Sequence, residues 1–189
     1  MTSAATDLLG VLGDYQPRSA GEAADLERLR RIAVSGDPWT RATPLHATGS
    51  AVVVHPPSRR VLLRWHARMQ SWLQVGGHAD PGETHPYDVA LREAREETGL
   101  ADLVPWPDAA QPAVVQVAVV PVPAGTGEPA HEHADIRYLL ATSRPEAIVA
   151  EDDVARLAWL ALPEALDRVA EDNLRECLQR IGALFDALA

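Results

Sequence analysis

The sequence predicts a mixed α/β sandwich, in which one sheet is covered by helices, and three observations carry that expectation. Short apolar or β-branched runs recur between residues 47 and 160, one amphipathic helical pattern interrupts them near the middle, and further helical patterns open and close the chain. The 189 residues suffice for one domain with small additions and fall short of two full-sized ones.

Two helical patterns open the chain. Leu8, Leu9, Val11 and Leu12 lie within Ala4 to Gly13, and Ala23, Leu26, Leu29, Ile32 and Ala33 lie between Gly21 and Val34, with Asp37-Pro38 as the stop. Residues 1–44 therefore read as a helical extension. Its apolar stripes can pack on the main domain or dock a second subunit, so a homodimer stays open. Ala47 to His55, Val61 to Trp65 and Ser71 to Val75 read as strands, broken by Pro56-Pro57-Ser58 and by His66 to Gln70. A helix follows over Pro86 to Thr98, then a valine-rich run, Ala113 to Val122, that reads as a buried strand. Pro123 to Pro129, with Gly125 and Gly127, is a loop, and the polar segment His131 to His133 is read with it. From Asp135 to Thr142, Ile136, Tyr138 and Leu140 alternate with Arg137 and Leu139 as in a strand. Ala155 to Leu160 forms the last strand, Leu162-Pro163-Glu164 starts a helix with proline in its first turn, and Asp172 to Leu188 is the final helix. The main domain thus spans 45–170, and 171–189 is a terminal helix packed on it.

Charge and composition narrow the function. Seventeen basic residues face 27 acidic ones, a net of −10, which argues against nucleic-acid polymers as partners. Every basic residue is arginine, so a P-loop lysine, a Schiff base and a lysine general base are excluded. Cys177 is the single cysteine, which allows neither an internal disulfide nor a cysteine metal cluster, and it reads as a packing residue. No apolar run approaches the roughly 20 residues of a membrane span. Met1 to Gly10 carries Asp7 and lacks the basic-then-apolar order of a secretory signal, so the expected location is cytoplasmic.

The informative stretch is Gly76 to Leu100. On the helical wheel Glu96 and Glu97 fall within about 60° and 40° of Glu93, so three acids share one face. Each like-charge neighbour costs a helix a few tenths of a kcal/mol in water, and a divalent cation reverses that sign. Hard cations such as Mg²⁺ take oxygen ligands and commonly bind a few carboxylates together with substrate phosphates. Leu91, Ala94 and Thr98 form the neighbouring packing stripe, Gly99 suits a left-handed cap, and Leu100 is its hydrophobic partner. Gly76-Gly77 lets the chain turn sharply and leaves a carbonyl free to face an ion, and Pro81-Gly82 makes a second turn.

These residues resemble the Nudix hydrolase family. Its box runs Gly, five residues, Glu, seven residues, Arg-Glu, an aliphatic residue, one residue, Glu-Glu, one residue, Gly and an aliphatic residue. Gly77, Glu83, Arg92, Glu93, Ala94, Glu96, Glu97, Gly99 and Leu100 fill those positions. One departure stands out: eight residues, Thr84 to Leu91, separate Glu83 from Arg92. The extra residue is placed near Thr84-His85-Pro86, because a loop absorbs an insertion and a helix face does not. The resemblance implies a Nudix-like α/β/α sandwich with a mixed sheet over most of residues 47–162, with the N-terminal helices outside it. It implies Mg²⁺- or Mn²⁺-dependent hydrolysis of a phosphoanhydride in a nucleoside diphosphate linked to another moiety, by attack of water at phosphorus. By position, Glu93, Glu96 and Glu97 would be catalytic and metal-binding, Gly77 would ligate through its carbonyl, and Glu83 and Arg92 would brace the helix. Family members differ in the general base; Glu93 is the first choice here, with Glu128, Glu132 and Asp135 behind it.

Other residues are candidates for substrate contact. Arg64, His66 and Arg68, and similarly Arg137, are candidates to meet phosphate, Trp65 or Trp72 to stack on a base, and His78 is a further substrate-binding candidate; the commoner roles are a surface arginine and a core tryptophan. His131 and His133 sit at strand spacing beside Glu132 and Asp135, yet a zinc site lacks a third ligand in that segment, so a substrate-contacting loop or, equally, a merely solvated one is preferred to it. Two readings compete with the hydrolase. A non-catalytic nucleotide-binding sensor on the same fold would be expected to lack some of the glutamates, and all are present. Isopentenyl diphosphate isomerase, which resembles Nudix proteins in fold, uses a cysteine, and Cys177 in the last helix is badly placed for that role.

Overall fold

The computed structural model describes residues 3–125, 127–151 and 155–188. Sequence readings that touch residues 1, 2, 126 and 189 lie outside the described residues there. The architecture is the expected α/β/α sandwich. Helices α1 (Ser3–Gly13) and α2 (Ala20–Ser35) precede β1 (Leu45–His55), β2 (Arg60–His66), β3 (Ser71–Leu73) and β4 (Val75–Gly77). Helix α3 (Pro86–Thr98) follows, then β5 (Val104–Pro105), β6 (Val114–Val122), β7 (His131–Ala141), β8 (Arg156–Ala161), α4 (Leu162–Arg168) and α5 (Asp172–Ala187). Among the described residues no helix is long and apolar enough to cross a membrane.

The sheet is organised about β1 and β7, which run parallel in a ten-residue register from Leu45 opposite Glu132 to Val54 opposite Ala141. All other pairings are antiparallel. The far side of β1 is shared by two partners: β2 pairs its end, with Val53 opposite Leu62, and β4 pairs its middle, with Gly49 opposite Gly77. Gln74 marks where the chain leaves β2, which β3 pairs, and joins β1. Two short strands therefore replace the single Ser71 to Val75 strand read from the sequence. A second difference lies in β7, which starts at His131 because His131 to Ala134 pair with Val119 to Val122 of β6. The segment expected to be loop is thus sheet.

Alternation along β1 divides the core. Ala47, Ala51 and Val53 face a cluster completed by Leu8, Leu26 and Leu29 of α1 and α2 and by Val89, Ala90 and Ala94 of α3. Val52 and Val54 face the other side, where Leu174, Cys177, Leu178, Ile181 and Phe185 of α5 close over the sheet. Cys177 is fully buried and its thiol is pushed up to about 11 by that burial, which suits a packing residue.

The N-terminal helices pack on this domain. Helix α2 also covers the outer edge of β6: Glu22 accepts from the Val117 N–H at 3.2 Å and Asp25 from the Val119 N–H at 2.9 Å. Pro121 has no N–H to offer, and Arg180 donates to the Val115 carbonyl at 3.0 Å. Edge groups that would otherwise template another strand are satisfied in this way. Burial works against ionising Glu22, yet hydrogen bonds from Arg180, from the Arg18 N–H, from Tyr15 and from the Val117 N–H outweigh it and hold the carboxyl at about 2.

Candidate active site

Helix α3 is set by its ends and by one close approach. Pro86 occupies the first turn after the His85 cap, whose ring nitrogen accepts from the Tyr87 N–H, and Gly99 ends the helix at φ 68° with its N–H on the Arg95 carbonyl. Gly49 of β1 lies directly beneath: a Cβ there would fall 2.7 Å from the Pro86 carbonyl oxygen and 2.9 Å from the Val89 Cβ. Ala90 and Ala94 are fully buried on that side, and the adjoining flank of α3 carries Glu93 and Glu97 toward β4.

There Gly76 and Gly77 meet the carboxylates. The Gly76 N–H donates to Glu97 Oε2 at 3.0 Å, and a Cβ on Gly77 would sit 2.7 Å from the Glu93 carboxyl carbon. Gly76 has φ 149° and lies against Ser50, where a Cβ would come within 2.3 Å of the serine's own, so only glycine fits. Glu97 is buried beside Arg64, whose Nη1 is 2.9 Å from Glu97 Oε1, while Nη2 donates to Glu151 at 3.3 Å. Burial nevertheless pushes the Glu97 carboxyl up to about 7, with Arg64 and the Gly76 N–H opposing it. Burial also raises Glu93, against the pull of Arg92.

Arg92 ties the box together. Its Nε and Nη2 donate to both oxygens of Glu83, each at 3.0 Å, and Nη2 also donates to the His78 carbonyl at 2.7 Å. Nη1 donates to Glu93 Oε1 at 3.0 Å and to Glu96 Oε2 at 2.8 Å. The extra residue before the helix therefore leaves the Glu83–Arg92 pair intact, and the hydrogen bonds from Arg92 hold the Glu83 carboxyl below its usual range. Glu93, Glu96, Glu97 and the Gly77 carbonyl offer only oxygen donors, and burial pushes Glu93 and Glu97 toward protonation. That is the donor chemistry of a hard divalent cation, so these residues fit Mg²⁺ or Mn²⁺.

On the face of the sheet opposite α3, a cavity of about 340 Å³ opens beside Gly76 and Gly77. Its floor is a polar ladder formed by two strands in register: Thr48 and Ser50 of β1 lie opposite Asp135 and Arg137 of β7, and the next rung pairs His46 with His133. Asp135 accepts from Thr48 at 3.0 Å, Ser50 at 2.8 Å, Gln74 Nε2 at 3.0 Å and Arg137 Nε at 3.0 Å. Arg137 is 0% exposed; its Nη1 donates to Gln116 at 2.7 Å, and its Nη2 has no partner among the described residues. Gln74 likewise leaves Oε1 unpartnered, and burial raises the Glu171 carboxyl at the cavity wall.

Of the substrate-contact candidates, His66, Arg68, His78 and Arg137 line this cavity, Arg68 being paired with Glu128. Arg64 is engaged by Glu97 and Glu151 instead. Trp72 packs away from the cavity, its ring edge-on to Trp65 at 5.8 Å and under the Arg168 guanidinium at 5.6 Å. The alternative bases are all occupied: Glu128 by Arg41 and Arg68, Glu132 by Arg28, and Asp135 by its four donors. Gln116 and Glu171 were not singled out in the sequence, where Gln116 is a lone polar residue inside the valine-rich run.

A family model described as NUDIX domain matches residues 45–181. No curated protein matches the sequence. Among solved structures, a Caenorhabditis elegans Ap4A hydrolase binary complex superposes with a TM-score of 0.57 at 17% identity, covering 75% of this chain and 98% of that one. A NUDIX-family hydrolase from Clostridium perfringens gives 0.57 at 23% identity, covering 74% and 97%. The Escherichia coli dihydroneopterin triphosphate pyrophosphohydrolase gives 0.54 at 18% identity, covering 73% and 94%. At these identities the likeness is one of fold.

Proposed function

Because this chain belongs to the Nudix family and is a Nudix-type hydrolase, we propose that it hydrolyses a phosphoanhydride bond in a nucleoside diphosphate linked to another moiety, with Mg²⁺ or Mn²⁺, by attack of water at phosphorus. The observation that carries the reading is the junction of α3 with β4, where Glu93 lies against Gly77 and Glu97 accepts from the Gly76 N–H beside a polar cavity. Glu93, Glu96, Glu97 and the Gly77 carbonyl would hold the cation. Bound there, it would neutralise diphosphate charge and lower the pKa of a water molecule.

The protein's own groups do the rest. Glu93 is the general base: Arg92 engages only its Oε1, and burial raises its affinity for the proton that the attacking water gives up. Arg92 and Glu83 keep the glutamates in position, so little reorganisation is left for the reaction. Arg137 Nη2, a buried donor without a partner, serves a substrate oxygen, and Gln74 Oε1 offers an acceptor to a substrate N–H or O–H. A dinucleoside polyphosphate, the kind of compound named for one structural neighbour, is the first substrate to try.

The test is a product-resolved hydrolysis screen over nucleoside di- and triphosphates, ADP-ribose, sugar nucleotides and dinucleoside polyphosphates, with Mg²⁺, Mn²⁺ or chelator. Turnover that requires the metal and disappears in Glu97→Gln supports the proposal. Saturable nucleotide binding with no turnover under any metal would instead identify a sensor.

A further inference from the structure

Four histidines from three separate segments meet at one end of the cavity. His46 stands on β1, His78 follows β4, and His131 and His133 begin β7. Their Nε2 atoms form a chain of close contacts: His46 to His78 at 3.1 Å, His78 to His133 at 3.2 Å and His133 to His131 at 3.1 Å.

Proton counting shows what this chain lacks. His46 Nδ1 lies 3.1 Å from the Thr43 carbonyl, and His131 Nδ1 lies 2.9 Å from the Pro129 carbonyl. A carbonyl only accepts, so both Nδ1 atoms carry their protons and, in neutral rings, both Nε2 atoms are bare. Three contacts then need three protons, while His78 and His133 supply at most one Nε2 proton each. A third proton would have to come from a charged imidazolium. With all four rings neutral, at least one pair of nitrogens therefore faces the other with no hydrogen bond between them.

We propose that His46, His131 and His133, with His78 as the fourth ligand, form a second metal site that takes a borderline-soft divalent ion of the Zn²⁺ class. An ion that accepts every Nε2 lone pair removes the deficit. The spacing suits it: a tetrahedral site with metal–nitrogen bonds of about 2.05 Å has ligand edges of about 3.3 Å, close to the three contacts above. One ring nitrogen from each of His46, His131 and His133 already lies within 4.8 Å of the other two. The carbonyls of Thr43 and Pro129 hold two rings in the required tautomer, as outer partners do at metal sites. All-imidazole ligation also separates this site from the glutamates of α3, since nitrogen donors favour late transition ions and carboxylates favour Mg²⁺. The ion would pin the start of β1, the start of β7 and the loop after β4 around the cavity, three of whose wall residues are His78, His131 and His133.

The test uses untagged full-length protein stripped with chelator, titrated with Co²⁺ and followed by its visible ligand-field bands, with Zn²⁺ as competitor in the presence of millimolar Mg²⁺. One equivalent should bind, with the intense bands of tetrahedral cobalt, and Zn²⁺ should displace it. His46→Ala/His133→Ala should weaken binding at least about a hundredfold. His131→Asn, at a half-exposed position, should weaken it with the circular dichroism spectrum unchanged. Glu93→Gln/Glu97→Gln should leave it intact, which keeps this proposal separable from the hydrolytic one. The proposal is overturned if wild-type protein shows no saturable Co²⁺ binding, if His131→Asn binds as wild type does, or if binding disappears with the glutamates.

Discussion

Gly49→Ala tests the contact on which the glutamate helix rests. A methyl group at residue 49 would lie 2.7 Å from the Pro86 carbonyl oxygen, 2.9 Å from Val89 Cβ and 3.0 Å from the Ala90 nitrogen. Carbon atoms rest at about 3.5–4.0 Å, and none of these three atoms is the end of a flexible side chain. Helix α3 must therefore lift by roughly 0.6–1 Å. Overpacking of this kind costs about 1–3 kcal/mol, and for a chain of this size each kcal/mol moves Tm by about 2–4 °C. The expected drop is about 2–12 °C. Gly10→Ala is the control, because nothing lies within 4 Å of a Cβ there. At that exposed helical position alanine is expected to stabilise by about 0.4–1 kcal/mol. Since α3 carries Glu93, Glu96 and Glu97, and a misplacement of about 1 Å can cost a hundredfold in rate, Gly49→Ala should also lose about ten- to a hundredfold in turnover while still folded. Thermal melts and hydrolysis of one substrate, run on both variants, decide the matter. A Gly49→Ala protein with wild-type Tm and turnover would refute the reasoning.

Glu97→Gln should lower turnover at least about a hundredfold with folding retained, because it removes a charge that acts on the transition state; unchanged turnover in the purified variant counts against the assignment. Arg92→Lys cannot reproduce the two-pronged contact with Glu83 while reaching Glu93 and Glu96, so its apparent Mg²⁺ affinity in the hydrolysis assay should fall, and an unchanged Mg²⁺ titration would show that Arg92 does not organise the acids. Glu22 is held at about 2 in the folded protein against 4.5 as its ordinary value. Its contribution is therefore complete above about pH 4.5 and is lost as pH falls toward 2. In urea titrations the advantage of wild type over Glu22→Gln should be constant from pH 7 to 5 and shrink below that; a gap that widens in acid contradicts the sign. Cys177 should resist a thiol reagent until the protein unfolds, given its burial and raised thiol; rapid reaction in native buffer would place it elsewhere.

What the sequence made legible follows from the range of each interaction. The spacing of Glu93, Glu96 and Glu97 is fixed by the period of one helix, so their common face could be read without knowing the rest of the fold. The brace of that helix was also readable, since Arg92 reaches Glu83 across the eight residues between them. The histidine cluster was not readable in full, because His46 and His133 meet only through the parallel register of β1 and β7. Half its signal was nonetheless present: His46, Thr48 and Ser50 alternate with Ala47, Gly49 and Ala51, as do His131, His133, Asp135 and Arg137 with their neighbours. Two strands that are polar on one parity and later apolar on it, as at Val52 and Val54, describe a sheet face that starts as cavity and ends as core. Reading His131 to His133 as loop followed its polarity, and pairing with β6 overrode that. The break at Gln74 depends on which partner strand is adjacent, and β5 is two residues long; neither leaves a local pattern.

The buried Asp135–Arg137 pair shows why the polar ladder is retained in a sheet that could have been apolar throughout. Removing two charges from water costs more than their attraction commonly returns, so stability is a poor reason for the pair. Its geometry gives a better one. Asp135 is saturated by four donors and fixes Arg137 through Nε, while Gln116 takes Nη1. The guanidinium is thus held rigid with one face of its charge, Nη2, left without an acceptor. A buried donor in that state costs about 1–3 kcal/mol, a penalty that an arriving anionic oxygen removes. Across the rim at Gly77 the situation is inverted, since Glu93 and Glu97 are acids made unfavourable by burial until a cation arrives. A cation alone relieves one side and an anion alone the other. On the proposed reading, a metal-bound diphosphate relieves both, which is a physical reason for the acids of α3 and the Arg137 guanidinium of β7 to be kept on opposite faces of the same sheet.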